Sequence, residues 1–124
     1  MRALLASVAL ALAAQGAAAQ QAVRVRGGEH ADYSRIVLDA PRGTAFDWSV
    51  ADGALTLRLA APVALDVAGA RAARLSRVAA VTADGATLRL ALSCDCGARV
   101  GQLADGRIVV DVAPGAPRPA PPEA

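Results

Sequence analysis

The tripeptide Ala-Asp-Gly occurs three times, at 51–53, 83–85 and 104–106. Asp-Gly supplies the two positive φ values of a type I′ hairpin, so each copy is expected to fold the chain back between two strands. The flanking residues agree. Phe46, Trp48 and Val50 alternate with Asp47 and Ser49 before the first copy, and Leu55, Leu57 and Leu59 alternate with Thr56 and Arg58 after it. Leu88, Leu90 and Leu92 alternate with Thr87, Arg89 and Ala91 after the second copy. Ile108, Val110 and Val112 do so with Val109 and Asp111 after the third. Period-two alternation of this kind marks strands with one buried face. Val23–Arg26 and Ser34–Asp39 add two more strands. In the second of these, Ile36 and Leu38 share one face, while Arg35, Val37 and Asp39 share the other. Between Leu65 and Val78 the chain reads as a helical turn or a crossover loop, since Gly69 weakens any helix there.

The strands repeat. Ser34–Ala60 runs strand, link, strand, Ala-Asp-Gly, strand, and Ala86–Ala113 runs the same way, with the corresponding tripeptides 53 residues apart. The expected architecture is all-β: a small two-sheet β-sandwich of two pseudo-symmetric halves joined by Asp-Gly hairpins. Only 2% of residues are aromatic, so the core must be aliphatic. Trp48 is expected within it, because Phe46 and Val50 share its face.

The ends read differently. Met1-Arg2, an apolar run from Ala3 to Ala14 and the small residues Ala17 and Ala19 follow the three-part pattern of a secretory signal peptide, with cleavage before Gln20. The run is too short to span a bilayer, so no stable membrane insertion is expected after cleavage. The segments expected are a signal peptide at 1–19, a β-domain at 20–113 and a proline-rich tail at 114–124. The tail holds five of the seven prolines and is expected to be disordered and outside any core. The address implied is the periplasm.

Thirteen arginines face eleven acids along the chain with no basic cluster, which argues against nucleic acid. His30 lies in a polar link with Glu29 and Asp32, but no nucleophile is placed beside it, and no phosphate-cradling loop is present. Neither an enzyme nor a cofactor is expected. Cys94 and Cys96 are the only cysteines, and an exported pair is expected to be oxidised. On a straight strand, positions i and i+2 lie roughly 6.5–7 Å apart, so the bridge needs a bent backbone, for which Gly97 is the candidate. A structural disulfide, a redox-active or partner-linking pair and a metal site are the three readings. The metal reading lacks further ligands.

The order Val-Arg-Val, Ser-Arg-Ile-Val-Leu-Asp, Phe-Asp-Trp-Ser-Val, Leu-Thr-Leu-Arg-Leu, Leu-Arg-Leu-Ala-Leu and Arg-Ile-Val-Val-Asp-Val resembles the AMIN domain. This is an exported β-domain found near the N-terminus of periplasmic amidases and secretin-type pilus proteins. The resemblance covers about 90 residues, and the cysteine pair lies outside its pattern. It implies a non-catalytic cell-envelope module whose partner is peptidoglycan or an envelope protein. The ligand-binding candidates are Tyr33 and Arg35 on one strand, together with Arg58 and Arg89, because guanidinium groups pair bidentately with carboxylates. Their competing role is cross-strand pairing with Asp39, Asp47 or Asp111. Two other functions stay open: thiol exchange or metal handling at Cys94 and Cys96, and a scaffold segment that pairs by its edge strands.

Overall fold

The computed structural model describes residues 20–120. The segment assigned to a signal peptide and the last four residues of the tail lie outside this range. Nine strands and one short helix follow in order: β1 (Gln21–Glu29), β2 (Ser34–Leu38), β3 (Phe46–Ala51), β4 (Ala54–Leu59), β5 (Val63–Asp66), α1 (Ala68–Ala72), β6 (Val78–Asp84), β7 (Thr87–Leu92), β8 (Cys96–Gln102) and β9 (Ile108–Pro114). They form a five-stranded sheet, β5-β1-β2-β9-β8, and a four-stranded sheet, β3-β4-β7-β6. The molecule is an all-β two-sheet sandwich.

The repeat in the sequence is built into the strand order. Leaving β5 aside, exchanging β1, β2, β3 and β4 for β6, β7, β8 and β9 converts one sheet into the other. Each half keeps its first two strands in one sheet and gives its second hairpin to the other, so neither half folds without its counterpart. Register repeats as well. Leu57↔Leu88 and Leu55↔Leu90 in the four-stranded sheet match Val110↔Ile36 and Ile108↔Leu38 in the other. All eight side chains are fully buried. Each such aliphatic contributes about 1.5–3 kcal/mol on burial, which makes this central octet the main source of stability. Phe46 and Trp48 are only half-buried, packed at the edge of the core on β3.

The three Ala-Asp-Gly copies make three different turns. At the first, Asp52 (φ 53°) and Gly53 (φ 73°) form the expected type I′ turn between β3 and β4. At the second, Asp84 still pairs with Thr87, and the turn residues are Gly85 (φ 58°) and Ala86, a type II′ arrangement. At the third, the Gly106 N–H donates to the Leu103 carbonyl (2.9 Å), and the loop is longer. A Cβ at Gly106 would run into the Pro41–Arg42 backbone, so this turn also packs against the β2–β3 link. Burial of Gly106, not local turn preference, selects its geometry.

Two other segments carry more structure than the alternation of residues indicates. The crossover after β4 holds a strand, β5, parallel to β1, before α1. The proline-rich segment is also partly integrated. β9 continues to Pro114, Gly115 (φ 78°) turns the chain, and Ala116 is buried. The Pro117 carbonyl accepts from the Ala98 N–H (2.9 Å), and the Pro119 carbonyl accepts from the Val50 N–H (2.9 Å). Proline has no N–H, but its carbonyl is a full acceptor, and two edge strands offer donors.

Candidate functional site

The four candidate residues do not converge. Tyr33 and Arg35 belong to the outer face of the five-stranded sheet, and Arg58 and Arg89 to the outer face of the four-stranded one. The aliphatic core separates the two pairs.

On the five-stranded face the register aligns Gly28, Arg35, Asp111 and Arg99 in one row. Arg35 donates Nε to one Asp111 oxygen (2.8 Å) and Nη2 to the other (3.0 Å). These hydrogen bonds raise the Arg35 pKa above its ordinary value. The guanidinium lies 5.1 Å from the centre of the Tyr33 ring, which stacks on His30 at 4.5 Å. Arg26 binds Asp39 (2.8 Å), and Arg107 binds Asp105 (2.8 Å). Residues 35–39 and 107–111 carry the same Arg-Ile-Val-x-Asp pattern, so antiparallel pairing of β2 with β9 brings Arg35 opposite Asp111. That self-complementary pattern was legible in the sequence and identifies Arg35 as a cross-strand partner. Asp111 engages the Nε–Nη2 edge of the Arg35 guanidinium, two of its five N–H donors.

Glu29 at the end of β1 ties the five-stranded sheet to the link that precedes β6. The Ser34 hydroxyl donates to one oxygen, and the Ser76 N–H donates to the other (2.9 Å). With Arg77 nearby, these bonds hold the carboxyl down at about 2. Arg77 also donates to the Ala31 carbonyl (2.9 Å), so His30 sits in a braced, exposed link.

The four-stranded face differs. Its rows are Asp47, Arg58, Thr87 and Asp84, then Ser49, Thr56, Arg89 and Thr82, then Ala51, Ala54, Ala91 and Ala80. Arg58 and Arg89 are exposed, and among the described residues neither lies within salt-bridge distance of a carboxylate. Arg58 sits opposite Thr87, and Arg89 lies two positions along that strand. This diagonal places the two residues on the order of 7–8 Å apart. Two guanidinium groups without ion pairs therefore lie side by side among hydroxyls and small residues, with Asp47 and Asp84 at the ends of the Arg58 row.

Cys94 and Cys96 form a disulfide with Cα atoms 5.2 Å apart, at a bend after β7. The bend falls at residues 93–95, before Gly97. Gly97 answers a different need, since a Cβ there would collide with the Ala116 and Pro117 carbonyl oxygens. Among the described residues, no three His, Cys, Asp or Glu side chains converge as metal ligands. A separate cavity of about 340 Å³ lies between α1 and β6, lined by Ala70, Leu75, Val78 and Val81. Arg71 spans its rim, donating Nε to the Val81 carbonyl (2.8 Å). None of the candidate residues lines it.

Comparison with protein-family models, with curated proteins and with solved structures finds no match to this chain.

Proposed function

We propose that this chain is an exported, non-catalytic module of the cell envelope, AMIN-like in character, that binds peptidoglycan through the outer face of its four-stranded sheet. The observation carrying this reading is the Arg58–Arg89 pair, adjacent on β4 and β7 and without carboxylate partners among the described residues. Peptidoglycan stem peptides carry carboxylates that accept bidentate guanidinium bonds, and amino groups that Asp47 and Asp84 can meet at the margins of the face. Glycan hydroxyls find partners in Thr56, Thr82 and Thr87. Arg35 is not assigned a ligand contact here, because its charge is already paired with Asp111. The cysteine pair at disulfide distance fits an oxidising compartment and acts as a clamp at a strand end.

The test is co-sedimentation of the exported chain with purified sacculi at low and high salt, with and without reductant. The expected result is pelleting that weakens with salt, persists under reductant and disappears in Arg58→Ala/Arg89→Ala. Pelleting of the double variant at wild-type level would contradict the assignment. Retention of an envelope protein without sacculus binding would move the function to an edge-strand scaffold.

A further inference from the structure

The two edge strands β3 and β8 lie on the same side of the sandwich, and residues 116–119 bridge them. The bridge has a specific chemistry. The carbonyls of Pro117 and Pro119, two positions apart, take the outward N–H groups of Ala98 and Val50. Arg118, between them, projects the other way and pairs with Asp95, the residue enclosed by the disulfide. Gly97 leaves its surface bare, so that the Ala116 and Pro117 carbonyls can lie directly against it. A segment seated here must offer acceptors, must be extended at alternate residues, and needs a cation at the intervening position. Proline suits the acceptor positions, because it brings no N–H that the site would leave unsatisfied.

We propose that this side of the molecule is a recognition site for extended, proline-rich segments bearing an arginine, and that residues 116–119 are its resident occupant. The resident is lightly held. Apart from the buried methyl of Ala116, it is retained by two backbone hydrogen bonds to the edge strands, a long one from the Ala116 N–H back to the Ala113 carbonyl (3.4 Å), and one ion pair whose Asp95 side chain is 87% exposed. Gly115, with φ 78°, supplies the pivot about which it leaves. A proline-rich segment of a partner protein, with the same alternation of prolyl carbonyl and arginine, takes the same three contacts when it displaces the resident. The site is distinct from the Arg58–Arg89 face and does not depend on peptidoglycan binding.

The experiment uses the exported chain carrying Arg118→Ala, with amide exchange followed by NMR and a synthetic peptide of residues 113–124 as probe. Against the wild-type chain, the tethered resident competes at an effective concentration of the order of millimolar, which is why the variant is needed. The expected result is a loss of protection of about two- to fivefold at the Val50 and Ala98 amides, with Ile36 and Leu88 unchanged as controls for folding. Added peptide restores that protection. The same peptide lacking its arginine binds about two- to fivefold more weakly. Asp95→Ala removes the discrimination between the two peptides, and Gly97→Ala prevents seating of either.

Three results would overturn the proposal. The first is unchanged protection in Arg118→Ala, and the second is equal binding of both peptides. The third is a concentration-dependent dimer of the wild-type chain with protected Val50 and Ala98 amides that the peptide leaves intact, which would assign the site to the same segment of a second copy.

Discussion

The two outer faces of this sandwich descend from equivalent strands, yet they use arginine in opposite ways. On the five-stranded face, Arg35 is locked by both oxygens of Asp111, and Arg26 is held by Asp39. On the four-stranded face, Arg58 and Arg89 stand among threonines without such partners in the described structure. The difference follows from pairing. β2 and β9 repeat one Arg-to-Asp pattern and run antiparallel, which sets Arg35 opposite Asp111, while Asp39 and Arg107 at the other end pair with Arg26 and Asp105. β4 and β7 present Arg58 to Thr87 and Thr56 to Arg89, and although Asp47 lies opposite Arg58 on β3, the two are not within salt-bridge distance. Arg24 and Arg99 on the five-stranded face also lack ion pairs among the described residues, so what sets the four-stranded face apart is the adjacency of its two free cations, Arg58 and Arg89.

The comparison breaks most severely if the core beneath both faces is removed. Leu57→Ala, at a fully buried position paired with Leu88, is expected to destabilise the fold by about 2–5 kcal/mol by chemical denaturation. The equivalent Val110→Ala removes less volume and should cost less. If Leu57→Ala proves nearly neutral, the two sheets do not share one core. Next in size is the effect on the four-stranded face. Arg58→Ala and Arg89→Ala are each expected to weaken sacculus binding roughly tenfold, and together roughly a hundredfold, with stability changed by less than about 0.5 kcal/mol.

Asp111→Ala sharpens the contrast from the other side by freeing Arg35. The pair is partly exposed, with side chains at 39% and 25%, so solvent screening limits the expected loss to about 1 kcal/mol in a thermal or denaturant melt. The freed guanidinium should add salt-sensitive affinity on the five-stranded face. A variant with unchanged affinity would show that the spacing of Arg58 and Arg89, not the availability of a cation, governs binding.

The smallest effect is titration of Glu29. Its carboxyl is held at about 2, below the ordinary value of 4.5, chiefly by the Ser34 hydroxyl and then by Ser76. A depressed folded-state pKa means stability present above the unfolded value and lost as pH falls from about 4.5 towards about 2. Glu29→Gln should flatten that part of the stability-versus-pH curve. An unaltered acid limb would remove Glu29 from the account.

Much of this architecture was legible in the alternation of residues. The faces of β2, β4, β7 and β9 follow directly from period two, and the repeat at 53 residues anticipates the exchange symmetry between sheets. What escaped the sequence was set by tertiary contact. β5 is a four-residue strand after Pro62, too short to show alternation, and it exists because β1 offers it an edge. Residues 114–119 read as a free tail because proline cannot donate, yet they are seated through their carbonyls and through Gly97. For the site, outward-facing arginines were recognisable one strand at a time. Their division between two opposite faces depends on which strands pair, and only the fold determines that.

The most direct test of the central difference is an NMR titration of the exported chain with a soluble peptidoglycan fragment carrying an intact stem peptide. Shifts concentrated at Thr56, Arg58, Arg89 and Thr82, with Arg35, Val37 and Val109 unmoved, are the predicted result. Shifts centred on Arg35 and its neighbours, or none at saturating fragment, would contradict the account.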